Sequence, residues 1–320
     1  MILRLGSRST DVRQLEQKLK ELGLYSGPLD GIFGGGVESA VKEFQRSKGL
    51  TRDGIVGPET WSALFPGTPT PSSSLQGRPL AERCLALTGS FETSCGFPEC
   101  FSGLAGNFDG EGISFGVLQW NLGQETLQPL LSEMLQAEPS TAAAIFQDHL
   151  SELEHMLQLP CDSQLKWALS IQNPNRAEIF EPWKGFFEAL GRTAPFQAIE
   201  MDHSERLFSR ALDLSQEYDL TTERGVALLF DICVQNGGLG SETGARIRED
   251  YDSIAANQSP AEEQVARMQA IANRVAESSR PEFVEDVRTR KLTIANGTGS
   301  VHNVFYDLAE QFSIALSPCR

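Results

Sequence analysis

Little in this chain marks a membrane protein, a nucleic-acid binder or a metalloenzyme. No uninterrupted apolar run approaches the roughly 20 residues that a membrane-spanning helix needs, although the hydrophobic share is an ordinary 40%. A basic surplus is missing: 27 Lys and Arg stand against 43 Asp and Glu, for a formal net charge of −16. Phosphate backbones require a basic face, so nucleic acid is excluded as a partner. The four histidines, His149, His155, His203 and His302, fall neither in an H-E-x-x-H run nor with cysteines at zinc spacing. The stretch Asn296-Gly297-Thr298-Gly299-Ser300 lacks the lysine of a phosphate loop. No metal and no other cofactor is therefore expected, and no membrane. The N-terminus, Met1-Ile2-Leu3-Arg4-Leu5-Gly6, enters patterned sequence without an apolar signal region.

What is present is unevenly distributed. Residues 1–65 hold nine Lys/Arg and eight Asp/Glu, a balance of +1, so the remainder carries −17. That acidity permits a cationic or neutral polymer as substrate, a solvated acidic surface being the plainer reading. Six cysteines, Cys84, Cys95, Cys100, Cys161, Cys233 and Cys319, allow fifteen full pairings. Cys95 and Cys100 are spaced to close a small loop, and reduced buried thiols are the alternative.

The first 65 residues read as a compact unit. Val12, Leu15, Leu19 and Leu22 form one helical stripe ended by Gly23; Val37, Ala40, Val41 and Phe44 form another ended near Gly49. Leu29-Asp30-Gly31-Ile32-Phe33-Gly34 returns as Arg52-Asp53-Gly54-Ile55-Val56-Gly57, each copy followed by a helix start. Two such half-units predict a small three-helix bundle. Residues 66–78, rich in Pro, Thr and Ser, read as a linker; about twelve residues extended at ~3.1 Å each span roughly 37 Å, enough to let flanking domains move independently. From 79 to 320 the periodicity is mostly helical, with helices expected over 79–92, 124–136, 140–157, 163–172, 204–216, 221–236, 260–278 and 303–316. Strand signal is confined to about 108–121.

Leu80, Cys84, Leu87 and Phe91 recur at spacings of four, three and four, one apolar helix face, which places Glu92 at that helix's C-terminal end. The helix dipole and the loss of water both disfavour a carboxylate there, as a general acid requires. Asp109 opens an Asp-Gly turn expected to remain solvated and ionised. After it, Ile113, Phe115 and Val117 alternate with Ser114, Gly116 and Leu118, a short strand forming half of a hairpin. An acid and a base facing across a groove is the arrangement of glycoside hydrolysis. Gly112-Ile113-Ser114-Phe115-Gly116 also matches G-x-S-x-G, but a turn precedes the serine and a strand follows it. The nucleophile elbow needs the strand first, then a helix, so acyl hydrolysis is rejected.

Two resemblances sharpen this reading. Gly6, Val12, Leu15, Leu19, Gly23, the two Asp-Gly turns, Phe44-Gln45, Gly49-Leu50 and Gly57-Pro58-Glu59-Thr60-Trp61 resemble the three-helix bacterial peptidoglycan-binding domain. The implied ligand is a cell-wall glycan or its peptide stem, with Asp30, Asp53 and Tyr25 as candidate contacts. Glu92 with Asp109-Gly110-Glu111-Gly112-Ile113-Ser114-Phe115-Gly116 resembles the family 46 chitosanases of the lysozyme superfamily. That resemblance implies Glu92 as general acid, Asp109 as the base activating water and Ser114 as the hydroxyl positioning that water. Glu111 stands where the family has Arg, and Ser114 where it has Thr. Ser114-Phe115-Gly116-Val117-Leu118-Gln119 is also similar to a hairpin of goose-type lysozymes and lytic transglycosylases, which makes Gln119 and Asn121 candidate substrate contacts. Val234-Gln235-Asn236-Gly237-Gly238 is similar to their cleft-lining Tyr-Asn-Ala-Gly segment; for Gln235 and Asn236 the alternative is a helix C-terminal cap. Arg288-Thr289-Arg290-Lys291, the densest basic cluster of the acidic part, is either a solvated patch or a partner for an active-site carboxylate or an acidic substituent.

The expected fold is mainly α: a three-helix bundle over 1–65, a linker over 66–78, and a larger lysozyme-like α domain over 79–320 with a short β-hairpin at the active site. The expected activity is inverting hydrolysis of β-1,4 bonds in peptidoglycan by a monomer acting outside the cell or at the cell wall, after removal of a leader or by phage-type release. Chitosan or chitin hydrolysis, lytic transglycosylation and non-catalytic wall binding are the alternatives.

Overall fold

The computed structural model describes residues 3–68, 75–93, 95–108, 110–175, 177–254 and 258–319. The chain divides into two compact units, one of Met1–Leu87 with Leu207–Arg320, the other of Thr88–Arg206. As expected, it is mainly α with small sheets. No helix among the described residues is long and apolar enough to cross a membrane.

The first unit begins with helices α1 (Thr10–Glu21), α2 (Gly35–Lys48) and α3 (Pro58–Leu64). They close over Val12, Leu15, Leu19, Phe33, Val41, Phe44 and Trp61. Helix α1 starts where the Ser9 side chain accepts from the Val12 amide. The sequence echo is a structural one. Asp30 Oδ1 accepts from Ile32 N at 2.9 Å and Asp53 Oδ1 from Ile55 N at 2.8 Å, Asx turns that aim the chain into α2 and α3. Beneath each turn a buried polar side chain from the preceding helix accepts the glycine amide: Glu16 that of Gly31, Gln45 that of Gly54, both at 2.9 Å. Asp30 and Asp53 are thus turn builders, and the Tyr25 hydroxyl donates to the Pro28 carbonyl at 3.0 Å. Of the expected linker, residues 69–74 lie outside the described residues.

The rest of this unit comprises α11 (Glu223–Asn236), α12 (Ser241–Tyr251), α13 (Pro260–Glu277) and α14 (Val284–Asn296), then strands β4 (Thr298–Val301) and β5 (Val304–Asp307) and helix α15 (Leu308–Phe312). Phe305 N donates to Gly6 O at 3.1 Å, and the Arg4 guanidinium lies 3.6 Å from the centre of the Phe305 ring. Of the helix expected over 303–316, the second hairpin takes the residues up to Asp307 and only Leu308–Phe312 is helical. His302 and Asn303 both adopt positive φ (50° and 63°), the conformation of a two-residue hairpin turn, and Val304-Phe305-Tyr306 is β-forming sequence.

The second unit receives the end of α4 (Leu80–Thr93) and contains β1 (Leu104–Ala105), β2 (Ser114–Phe115) and β3 (Trp120–Asn121) as an antiparallel sheet in that order. Helices α5 (Leu127–Ala137), α6 (Pro139–Phe146), α7 (Leu150–Leu157), α8 (Cys161–Ser170), α9 (Trp183–Gly191) and the start of α10 (Ala194–Glu217) surround it. Ile113, Phe115, Leu130, Phe146, Trp183, Phe187 and Phe196 form its core. The single helix expected over 140–157 is broken at Gln147, where φ is +50°. Helices α9, α12 and α14 were not expected as helices, and α10 starts ten residues before its predicted position. None of the six cysteines forms a disulfide.

Candidate active site

Helix α4 ends at Thr93, so Glu92 stands on its last turn, half-buried, while Phe91 beside it is buried. The helix lies close to the turn after β2 because residue 89 is glycine: a β-carbon there would fall 2.1 Å from Val117 Cγ2. Thr93 packs equally tightly, since a β-carbon on Gly103 would meet its Cγ2 at 2.2 Å. Glu92 thereby opens on a cleft of about 560 Å³, within the usual range for ligand sites. Thr93, residues 103–106, Phe108, Gln119, Glu178, Ile179 and Glu188 are among the residues that line it. Glu92, Glu99, Glu178 and Glu188 outnumber Lys184 and Arg192 among its charges, and Arg192 is paired with Glu188 at 3.2 Å.

The loop from Gly106 to Gly112 is braced at both ends. Asn107 N donates to Gln172 Oε1 at 2.7 Å, and Asn107 Oδ1 accepts from Gly112 N at 2.9 Å. Gly106 permits the first contact, for a β-carbon there would fall 2.5 Å from Gln172 Oε1, and 2.0 Å from the Ala177 carbonyl oxygen beside it. Asp109, the expected base, lies outside the described residues. Phe108, its neighbour in the chain, lines the cleft and is 77% exposed.

The other expected contacts divide. Gln119 lines the cleft, but its Nε2 donates to the carbonyls of Gly103 (3.1 Å) and Gly116 (2.9 Å), which fixes the turn. Ser114 pairs between Ala105 and Asn121 in the sheet and is not in the cleft lining. Asn121 is buried, and its Oδ1 accepts from Gln124 N at 2.8 Å. Glu111 faces Gly123, whose amide donates to the Glu111 carbonyl at 3.0 Å.

Gln235, Asn236, Arg288, Arg290 and Lys291 belong to the first unit. Asn236 ends α11 and Gly237 follows in the left-handed conformation at φ 72°, so the capping reading of this segment holds. Arg288 bonds Asn273 at 2.7 Å and Glu285 at 3.2 Å. The basic cluster is not a solvated patch. Arg290 is 2% exposed and Lys291 0%, and both converge on Asp231 of α11, also 0% exposed. Arg290 Nη2 reaches Asp231 Oδ1 at 2.7 Å, Lys291 Nζ reaches Oδ2 at 2.5 Å, and Lys291 continues to Gln235 Oε1 at 2.6 Å. Burial opposes ionisation of Asp231, yet the two cations outweigh it and hold its carboxyl below the usual carboxylate range.

Sequence reasoning missed Asp231 and one further acid, Glu200 of α10. Each is a lone carboxyl in an apolar run, Leu229-Phe230-Asp231-Ile232 and Ala198-Ile199-Glu200-Met201. A buried charge must find a partner or lose its charge, so such runs carry a usable signal.

Residues 8–64 match the family model described as "Putative peptidoglycan binding domain". The chain is 46% identical over 55 residues to the N-acetylmuramoyl-L-alanine amidase CwlM of Mycobacterium tuberculosis, covering 17% of this chain and 14% of that protein. It is 37% identical over 67 residues to the spore cortex-lytic enzyme of Bacillus cereus, covering 21% and 26%. The match thus spans about a seventh to a quarter of these relatives. Among solved structures, a native chitosanase from Bacillus subtilis MY002 aligns at a TM-score of 0.45 and 14% identity over 69% of this chain and 87% of its own. Chitosanase OU01, crystallised with substrate, aligns at 0.45 and 17% identity over 73% and 99%.

Proposed function

We propose that this chain is a cell-wall-directed glycoside hydrolase cleaving β-1,4 bonds of peptidoglycan. Residues 1–65 would hold the polymer, 66–78 tether, and 79–320 carry out the chemistry. Glu92 protonates the leaving glycosidic oxygen as the C1–O bond breaks. Asp109 removes a proton from a water, and that water forms the new bond to C1 from the opposite face. Inversion of this kind requires the two carboxyls about 6.5–9.5 Å apart. The carrying observation is Glu92 on the last turn of α4, opening on a cleft beside the braced Gly106–Gly112 loop. The family match over residues 8–64 supports a wall polymer as ligand. One observation favours a second substrate, a glucosamine polymer such as chitosan: beside the proton-bearing Glu92, the three glutamates Glu99, Glu178 and Glu188 outnumber Lys184 and Arg192 in the cleft and attract a cationic chain.

The test is release of reducing ends from purified cell walls and from chitosan by Glu92→Gln and Asp109→Asn. Loss of a general acid or base is expected to cost on the order of 10²–10⁴ in rate. Near wild-type rates in both variants on both polymers would sink the assignment.

A further inference from the structure

We propose that Glu200 is a positioning residue for this site: through the Val117 amide it holds the turn that aims Gln119 into the cleft and seats the end of α4. The inference rests on the reading of Glu92 as general acid. Glu200 is 0% exposed, and its Oε1 accepts from Val117 N at 2.8 Å. Its other oxygen, Oε2, has no hydrogen-bond partner among the described residues. A buried carboxyl with one bond is an expensive way to fill space, and leucine or methionine would fill it better. The glutamate is therefore explained by what it accepts.

The turn after β2 needs that acceptor. Gly116 takes φ +85° and Gln119 φ +54°, so the chain reverses from β2 into β3 within four residues. Gly116 N and Gln119 N find carbonyls, those of Gly103 (2.8 Å) and Gly116 (3.1 Å), whereas Val117 N points to the Glu200 carboxyl. Gly116 also makes room for the acid, since a β-carbon there would fall 2.1 Å from Glu200 Oε1. On its other side Val117 is the surface against which Gly89 of α4 packs, three residues before Glu92. One amide thus links a buried acid on α10 to both the cleft-lining Gln119 and the helix end bearing Glu92. Burial pushes the Glu200 carboxyl well above its ordinary value, the Val117 amide working against this. A neutral group accepting one bond is what glutamine can imitate.

The experiment compares Glu200→Gln and Glu200→Met in the full chain, with Glu92→Gln alongside, by kcat and KM for reducing-end release, melting temperature and co-sedimentation with cell walls. Glutamine keeps the acceptor and is expected to retain kcat within about threefold. Methionine keeps the length and removes the acceptor. It is expected to lower kcat by ten- to a hundredfold, the order produced by a displacement of about 1 Å, with KM within about threefold and co-sedimentation unchanged. Glu200→Asp, which withdraws the carboxyl by one methylene, carries the same expectation should the methionine variant not fold. A methionine variant that melts earlier but keeps its kcat would show a purely structural role and overturn the proposal, as would a well-folded glutamine variant as slow as the methionine one. An active Glu92→Gln overturns the functional reading itself, and this inference with it. An inactive Glu92→Gln beside unchanged kcat in the Glu200 variants overturns only the inference.

Discussion

Replacing Asp231 by alanine removes the shared partner of two cations that have almost no access to water. Arg290 loses bonds to both Asp231 oxygens, at 3.1 and 3.0 Å from Nε and 2.7 Å from Nη2. Lys291 loses its 2.5 Å contact and keeps Gln235 Oε1 at 2.6 Å and the residue 231 carbonyl at 3.3 Å. Breaking a buried ion pair from one side costs about 3–5 kcal/mol, most of it from the charge left behind. At roughly 2–4 °C per kcal/mol for a domain of 150–250 residues, melting should fall by about 6–20 °C, read by circular dichroism or calorimetry at neutral pH. The contrasting variant replaces all three by apolar residues, Asp231→Leu with Arg290→Met and Lys291→Met, and should be far less harmful because no charge remains to be buried. The folded-state carboxyl is depressed below its unfolded value. Its stabilisation is therefore complete above the unfolded value of about 3.9 and is lost as pH falls from there through the folded one. A shift of less than about 1 kcal/mol for Asp231→Ala, or a triple variant as damaged as the single one, would refute the argument that these charges are sequestered.

Three further outcomes are expected. Gly89→Ala pushes a methyl to 2.1 Å from Val117 Cγ2, an overpacking that should cost about 1–3 kcal/mol in denaturant unfolding and slow reducing-end release more than it weakens binding. Phe108→Ala should leave stability within about 0.5 kcal/mol, since the ring is 77% exposed, while KM for the polymer rises about three- to tenfold, equivalent to ~0.7–1.4 kcal/mol; an unchanged KM would remove the ring from the binding surface. Gln45→Ala leaves the Gly54 amide without its side-chain acceptor, while the Ile55 carbonyl keeps Thr60 Oγ1 at 3.4 Å; this should cost about 1–3 kcal/mol and abolish co-sedimentation with cell walls at temperatures where the wild type still binds.

The first 65 residues were readable because local chemistry and tertiary structure agree there. An Asp-Gly pair makes the same turn twice, and the apolar stripes of α1 and α2 meet one core. Glu92 was placed correctly for the same reason, as four apolar residues at helical spacing fix where the helix ends. The second hairpin was hidden by composition. Phe305, Leu308 and Phe312 keep a helical spacing, yet Phe305 and Tyr306 lie in β5 while Leu308 and Phe312 lie in α15, and the left-handed backbone at His302 and Asn303 marks where the hairpin turns. Neither residue is a glycine that would announce it.

The unreadable part of the candidate site has a common cause. Gly89, Gly103, Gly106 and Gly116 each stand where another backbone or side chain comes closer than a β-carbon allows, at 2.1, 2.2, 2.0 and 2.1 Å. In the sequence such glycines look like flexible punctuation. In the fold they are the points at which α4, the three-stranded sheet, the 172–179 segment and α10 are pressed together around one cleft. The partner in each case, Val117, Thr93, Ala177 or Glu200, is remote in sequence from its glycine or unrelated to it by any period, so no window of residues reveals the pairing. Helix ends and turns therefore locate the acid that faces the cleft, whereas the groups that hold it there become visible only when the elements are assembled. That is why Glu200, with no motif around it, is the residue whose substitution separates a site that is merely present from one that is correctly aimed.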